Sequence, residues 1–286
     1  EGQGGLRDIH SAMWIAGAKN GPVKLHDLPK TGLLDSRDAM ALERGRDFLW
    51  RTRNELHFLA GRHQDRLTFA SQEQAAHGLG YVAEGRLSEV ETFMRAYYLH
   101  AEEVSRLSSL IIHRSVHHGP SQHDEPRLGR DLSPGVRIAG STLAVSRAKG
   151  NNGSPEELLD LFRELQRNRL SLGQDSREIV RDWVAMVGEA LPGSAGANRE
   201  FLDILRGSDW IYETLLEMHR ADVLDALIPE FGKVRCMALH DLYHIYTVDQ
   251  HLIRAVREFE RLRSGVFDES LSLIHISEPT RLGMIS

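Results

Sequence analysis

One stretch constrains this chain more than any other. From Ser88 to Ile111, the residues Val90, Phe93, Met94, Tyr97, Ala101, Val104, Leu107 and Ile111 recur every three or four positions. That period lays them along one face of an α-helix. A strand cannot present it, because its side chains change sides every second residue. A helix from Ser88 to Ile111 is roughly 36 Å long at ~1.5 Å per residue, so its stripe has to bury against several neighbours.

The rest of the chain reads as those neighbours. A short helix spans Ile9 to Ala18 and breaks at Gly21-Pro22. Asp35 or Ser36 caps the next, which runs to about Leu59 with Leu42, Phe48, Leu49, Thr52 and Leu56 at helical spacing. Ser71 to Leu79 follows. Between His117 and Asn152 the period dissolves into Gly, Pro, Ser and charge; within it Val136-Arg137-Ile138 and Leu143-Ala144-Val145 can pair as a hairpin around Gly140-Ser141. Ser154-Pro155-Glu156-Glu157 is a capping box with Pro at the first helical position, opening a helix to about Asn168. Further helices fall at Ser176 to Val187, Asn198 to Arg206 and Asp209 to Arg220. A last one runs from Thr247, paired with Gln250 in a second expected capping box, to Leu262. The predicted fold is all-α, a multi-helix bundle with at most one small β-hairpin near 136–145.

Composition narrows the classes. The 286 residues are 41% hydrophobic and 27% charged, a globular balance, and the net charge of −6 argues against a nucleic-acid partner. Cys236 is the single cysteine, which excludes an intrachain disulfide and any multi-cysteine zinc site. No apolar run approaches the ~20 residues of a membrane span, so no membrane partner is expected and the expected location is the cytoplasm.

Fifteen histidines raise the question of metal. His57, His77 and His100 sit singly in helices and read as packing or surface residues. His113, His117, His118 and His123 cluster at the end of the long helix, beside Gly119 and Pro120, where a solvated segment explains them. The run His240-Asp241-Leu242-Tyr243-His244-Ile245-Tyr246-Thr247-Val248-Asp249-Gln250-His251 differs: it gathers imidazole and carboxylate, the ligand types of hydrolytic divalent-metal sites, ahead of a capped helix. Local caps and surface pairs would also account for it.

That run resembles the beginning of the HD phosphohydrolase domain in the bifunctional uridylyltransferase/uridylyl-removing family that acts on the PII nitrogen-regulatory protein. Three more blocks agree in order. Glu1-Gly2-Gln3-Gly4-Gly5-Leu6-Arg7-Asp8-Ile9 is similar to the end of the family's nucleotidyltransferase domain. Gly61-Arg62-His63-Gln64-Asp65-Arg66-Leu67, Leu79-Gly80-Tyr81 and Val90 through Tyr98 are similar to its central helical domain. Met218-His219-Arg220 through Pro229-Glu230-Phe231-Gly232 resembles the lead-in to the HD domain.

The resemblance implies residues 1–20 as the end of a nucleotidyltransferase domain, 21–220 as the helical domain and 221–271 as the start of an HD domain. Residues 272–286 (SLIHISEPTRLGMIS) look like translated sequencing adapter and are expected not to belong to the fold. His251 matches the first metal-binding His of the HD site, whereas His240-Asp241 precedes that position and is not the family's His-Asp dyad. The dyad and a final Asp are expected beyond Leu271, and the Gly-Ser loop and paired carboxylates before Glu1, so no catalytic set is complete in this chain. The implied chemistry is transfer of UMP from UTP to a PII tyrosine and its hydrolytic removal, with Mg²⁺ or Mn²⁺ in the intact enzyme and none bound by this stretch. Glutamine is the implied effector, through C-terminal domains outside this chain. Three other readings stay open: a glutamine synthetase adenylyltransferase-like protein, a different HD-domain nucleotide hydrolase, or a non-catalytic helical interaction module.

Overall fold

The computed structural model describes residues 2–117, 129–240 and 246–264. In its first half come α1 (Leu6–Asn20), a 3₁₀ turn (Leu25–Asp27), α2 (Leu28–Thr31), α3 (Ser36–Ala60), α4 (Phe69–Gly78) and the long α5 (Glu89–His117). The second half holds β1 (Arg130–Ser133), β2 (Val136–Ala139), β3 (Thr142–Val145), α6 (Arg147–Asn152), α7 (Pro155–Arg167), β4 (Ser171–Leu172), α8 (Gln174–Val187) and α9 (Ala195–Leu205). It closes with α10 (Ile211–Arg220), α11 (Val223–Leu227), α12 (Pro229–Lys233) and α13 (Val248–Arg263).

Local chemistry explains most of the helix ends. Asp35 accepts a hydrogen bond from Asp38 N at 2.7 Å and starts α3, and Gly61 closes it in the left-handed conformation. Ser154 and Glu157 form the reciprocal box expected at α7. The second expected box is absent. Thr247 occupies the N-cap position of α13, but its side chain makes no cap bond. The first turn is held instead by Val248 N donating to Met237 O at 2.8 Å and by Asp249, whose carboxylate is engaged elsewhere in the fold.

The mostly-α class holds, but the sheet exceeds one hairpin. β2 and β3 pair antiparallel with Arg137 opposite Ala144, as the sequence predicts. β1 adds antiparallel to β2 and β4 adds parallel to β3, giving four strands in the order β1-β2-β3-β4. Neither addition was legible. β1 reads as polar Arg-Asp-Leu-Ser, and the two-residue β4 is too short to show a period. It is recruited because Leu170 and Leu172 enter the core, which brings Gly173 N to Leu143 O at 3.2 Å.

Two apolar cores result. One joins α1 to α5 around Phe48, Leu42, Phe93 and Leu107; the other joins the sheet to α7 through α13 around Phe162, Trp183, Leu158 and Met218. The stripe of α5 is buried as expected, with Val104, Leu107 and Ile111 fully inaccessible.

The Gly4-Gly5 turn has a steric reason. Gly4 has φ +82°, and a Cβ there would lie 1.9 Å from the Ala101 carbonyl oxygen of α5. Gly4→Ala is expected to cost more than about 2 kcal/mol of unfolding free energy in urea, from clash plus a disfavoured φ. Gly2→Ala, where nothing lies within 4 Å, is the control and should stay within about 0.5 kcal/mol.

Candidate functional site

The start of α13 is built onto the end of α10. His219, in the last turn of α10, is buried, and its Nε2 lies 3.1 Å from Asp249 Oδ2 in the first turn of α13. Asp225 Oδ1 stands 3.8 Å from Nδ1 on the other side of the ring, and Phe231 meets the ring edge-on at 5.6 Å. Burial pulls the imidazole pKa down, but Asp225 and Asp249 outweigh it and hold it up at about 9. Burial in turn pushes the Asp249 carboxyl up, and His219 more than reverses that.

At the far end of the pair the roles are exchanged. The Glu260 carboxylate of α13 accepts from Ile211 N and Tyr212 N, both at 2.8 Å, and so caps the N-terminus of α10. The two helices therefore run antiparallel, pinned at both ends, with Ile253 packed into the core between the pins.

Between the two cores lies a cleft of about 900 Å³, bordered by Tyr98 and Glu102 of α5, Arg177 and Arg181 of α8, and Tyr212 and Arg254. Four of the arginines around it hold carboxylates. Arg235 meets Glu102 at 2.8 and 3.2 Å while also holding Asp222 and Asp225 at 2.5 and 2.6 Å. Arg106 gathers Asp38 and Glu103 at 2.8 Å together with Glu178. Arg177 pairs with Glu217 and Arg181 with Asp222. The cleft is an ion-paired seam. Cys236 lies in this seam with its thiol donating to Glu102 at 3.4 Å, and burial pushes its pKa well up, which disfavours the thiolate.

The residues singled out in the sequence separate into different environments. His251 is exposed on the first turn of α13, two residues beyond Asp249 and so turned ~200° from the α10 contact. Of the apolar residues expected to hold its helix, Ile253 and Val256 pack on the core, but Leu252 is 47% exposed because it shares the outward face with Phe259. His240 is a packing residue: its ring stacks on Phe69 at 3.7 Å and its backbone N–H donates to Glu91 at 3.4 Å. Asp241 to Ile245 lie outside the described residues, as do His118, His123 and the 272–286 tail.

Other helical histidines, single or clustered in the sequence, have local partners. His100 stacks on Phe48 at 4.4 Å, His77 faces Glu89 at 3.3 Å, and His113 lies 3.3 Å from Asp175 and 4.7 Å from the His117 ring. Among the described residues, the one group of three ligand-type side chains is His57, His63 and Asp65, and it does not include His251. Sequence reasoning missed His219 and Arg235. The available signal for His219 was a histidine continuing the Ile211–Leu215 row of α10 at the four-residue spacing that faces the core.

Comparison with known proteins places relatives along the chain. Residues 1–112 match the family model described as GlnD PII-uridylyltransferase. Over nearly its whole length the chain is similar to proteins named bifunctional uridylyltransferase/uridylyl-removing enzyme. It is 32% identical to the one from Nitrobacter winogradskyi over 283 residues, covering 94% of this chain and 30% of that protein. The Caulobacter vibrioides protein is 34% identical over 279 residues (93% and 29%), and that of Azospirillum brasilense 30% identical over 279 residues (96% and 30%). The chain thus spans about 30% of the length of these curated relatives. No solved structure matches. The resemblance carried by the four motif blocks is borne out. Among the described residues, no helix is long and apolar enough to cross a membrane.

The His219 pair sets a pH dependence. The folded pKa is raised above its ordinary 6.5 to about 9, so its stabilisation is complete below about pH 6.5 and lost as pH rises through 9. The upper bound is about 3 kcal/mol for a shift of this size. Urea unfolding between pH 6 and 10 should show wild type losing on the order of 2–3 kcal/mol more than His219→Gln. Parallel curves would show that the ion pair contributes nothing net.

Proposed function

We propose that this chain is the helical body and the first HD helix of an enzyme that transfers UMP from UTP to a PII tyrosine and removes it again. The single observation that carries this is similarity to uridylyltransferase/uridylyl-removing enzymes along 94% of the chain. The glutamine synthetase adenylyltransferase reading loses ground by the same measure, as does an unrelated HD hydrolase.

On this reading the enzyme is cytoplasmic, takes UTP and PII as substrates, and responds to glutamine through domains outside this stretch. The first reaction is in-line attack of the tyrosine hydroxyl on the α-phosphorus of UTP, releasing pyrophosphate. The second is hydrolysis of the tyrosyl phosphodiester to tyrosine and UMP. A divalent ion, Mg²⁺ or Mn²⁺, would supply charge neutralisation to the first and an activated water to the second.

This chain's contribution is positional. The ion-paired seam seats the helical body, and α13, pinned to α10 at both ends, presents His251 outward on a fixed axis. One imidazole does not hold an ion, and among the described residues no group of three ligands includes His251. The metal role of His251 therefore rests on the match to the family's motif. The 286 residues contain no Asp-x-Asp pair and no His-Asp dyad after His251.

The isolated chain is accordingly expected to be inert in both directions. Radiolabelled UMP transfer to PII, or UMP release from modified PII, by the purified chain would overturn that expectation. In the full-length enzyme, His251→Ala should abolish uridylyl removal and lower bound Mn²⁺ while transfer is largely kept. His240→Ala, which removes the stack on Phe69 and the contact with Glu73 at 3.7 Å, should do much less. Equal effects of the two substitutions, or loss of transfer together with removal, would refute the role given to His251.

A further inference from the structure

We propose that His57, His63 and Asp65 form a binding site for a divalent transition-metal ion of the zinc class, on the outer end of α3. The site is separate from His251 and does not depend on the uridylyl reading. It arises from a reversal of the chain: α3 ends at Gly61 with φ +60°, and the segment beyond folds back so that His63 and Asp65 return to the last turns of the helix, where His57 stands.

Two imidazoles and a carboxylate are the donor set that favours zinc-like ions over Mg²⁺ or Ca²⁺. Their separations fit. Bonds of about 2.0–2.1 Å in a tetrahedron put neighbouring donors roughly 3.4 Å apart. Here His57 Nε2 lies 3.2 Å from Asp65 Oδ1, and one ligand atom from each of the three residues lies within 4.8 Å of the others. The two rings stand 4.5 Å apart.

Binding is coupled to protonation. Arg53 Nη2 lies 3.2 Å from His63 Nε2, and a guanidinium can only donate, so in the tautomer that makes this bond Nε2 carries the lone pair; His57 Nε2, which donates to Asp65 Oδ1 at 3.2 Å, releases its proton when an ion takes that place. The same Arg53 holds Asp65 through Nε at 2.8 Å and Nη2 at 3.0 Å, and keeps its carboxyl ionised below the usual range. A bound ion takes the lone pair of His63 from Nη2, and Nε stays on Asp65 as the outer partner that orients a ligating carboxylate. The guanidinium charge opposes the ion. At this exposed position water screens it, and at ~4 Å the repulsion lowers affinity by roughly ten- to fiftyfold, so the site binds in the micromolar rather than the nanomolar range. The side chains of His63 and Asp65 are 69% and 50% exposed, which leaves the remaining coordination position to water.

The test uses the full 286-residue chain with Zn²⁺ alone in calorimetry and Co²⁺ alone in visible absorption. Zn²⁺ should bind at micromolar Kd, and Co²⁺ should give the visible band of a low-coordinate nitrogen–oxygen site. His63→Ala, at the most exposed ligand, should weaken Zn²⁺ by more than about tenfold and remove the Co²⁺ band without changing the helical circular dichroism. Asp65→Asn should weaken binding in the same direction, and His113→Ala, at the other histidine pair, should leave the Co²⁺ band in place. The proposal is overturned if no Zn²⁺ binds below about 1 mM, a floor equivalent to ~4 kcal/mol of binding. It is equally overturned if His63→Ala leaves the titration and spectrum unchanged, or if the band follows His113 instead.

Discussion

The structure depends on how α5 meets the second half of the chain. On one side its apolar stripe enters the first core, which needs nothing beyond the hydrophobic effect. On the other side it offers charge: Glu102 to Arg235, Arg106 to Glu178, and Arg114 to Asp175 at 3.0 Å. Two cores that met through apolar faces could slide along one another at little cost. Paired guanidinium and carboxylate groups cannot, because leaving one of them buried and unpaired costs about 3–5 kcal/mol. The seam contributes little net stability per pair, but it fixes one relative placement of the halves.

The same logic operates on a smaller scale between α10 and α13. His219–Asp249 at one end and Glu260 at the other are polar pins around an apolar middle held by Ile253. The burial of Asp249 is what sends His251 outward, since the residue two positions on must face the opposite way. Such a joint lets α13 take its orientation from the helices it packs against. Thr247 shows how the joint overrides local preference: it stands at the N-cap position, yet the helix start is held by tertiary contacts instead.

The departures from the sequence reading have a common cause. The Ser154 box, the Asp35 cap and the hairpin register involve residues within about ten positions of one another, and all are present. β4 exists because Leu143 and Leu172 meet across the fold, His219 is charged because Asp225 and Asp249 surround it, and Asp65 reaches His57 because the chain doubles back at Gly61. Each rests on a juxtaposition that no local period encodes.

What the sequence by itself determined is the helical class, the length and buried face of α5, most helix starts, and the family resemblance carried by four ordered blocks. These are properties of spacing, and spacing is written in the chain. Tertiary structure alone decided which charges became pins, that Leu252 faces outward while Ile253 faces inward, and that His240 packs on Phe69. The reason is electrostatic and steric: a side chain's partner, and with it its protonation and its role, is set by what the fold brings within about 4 Å.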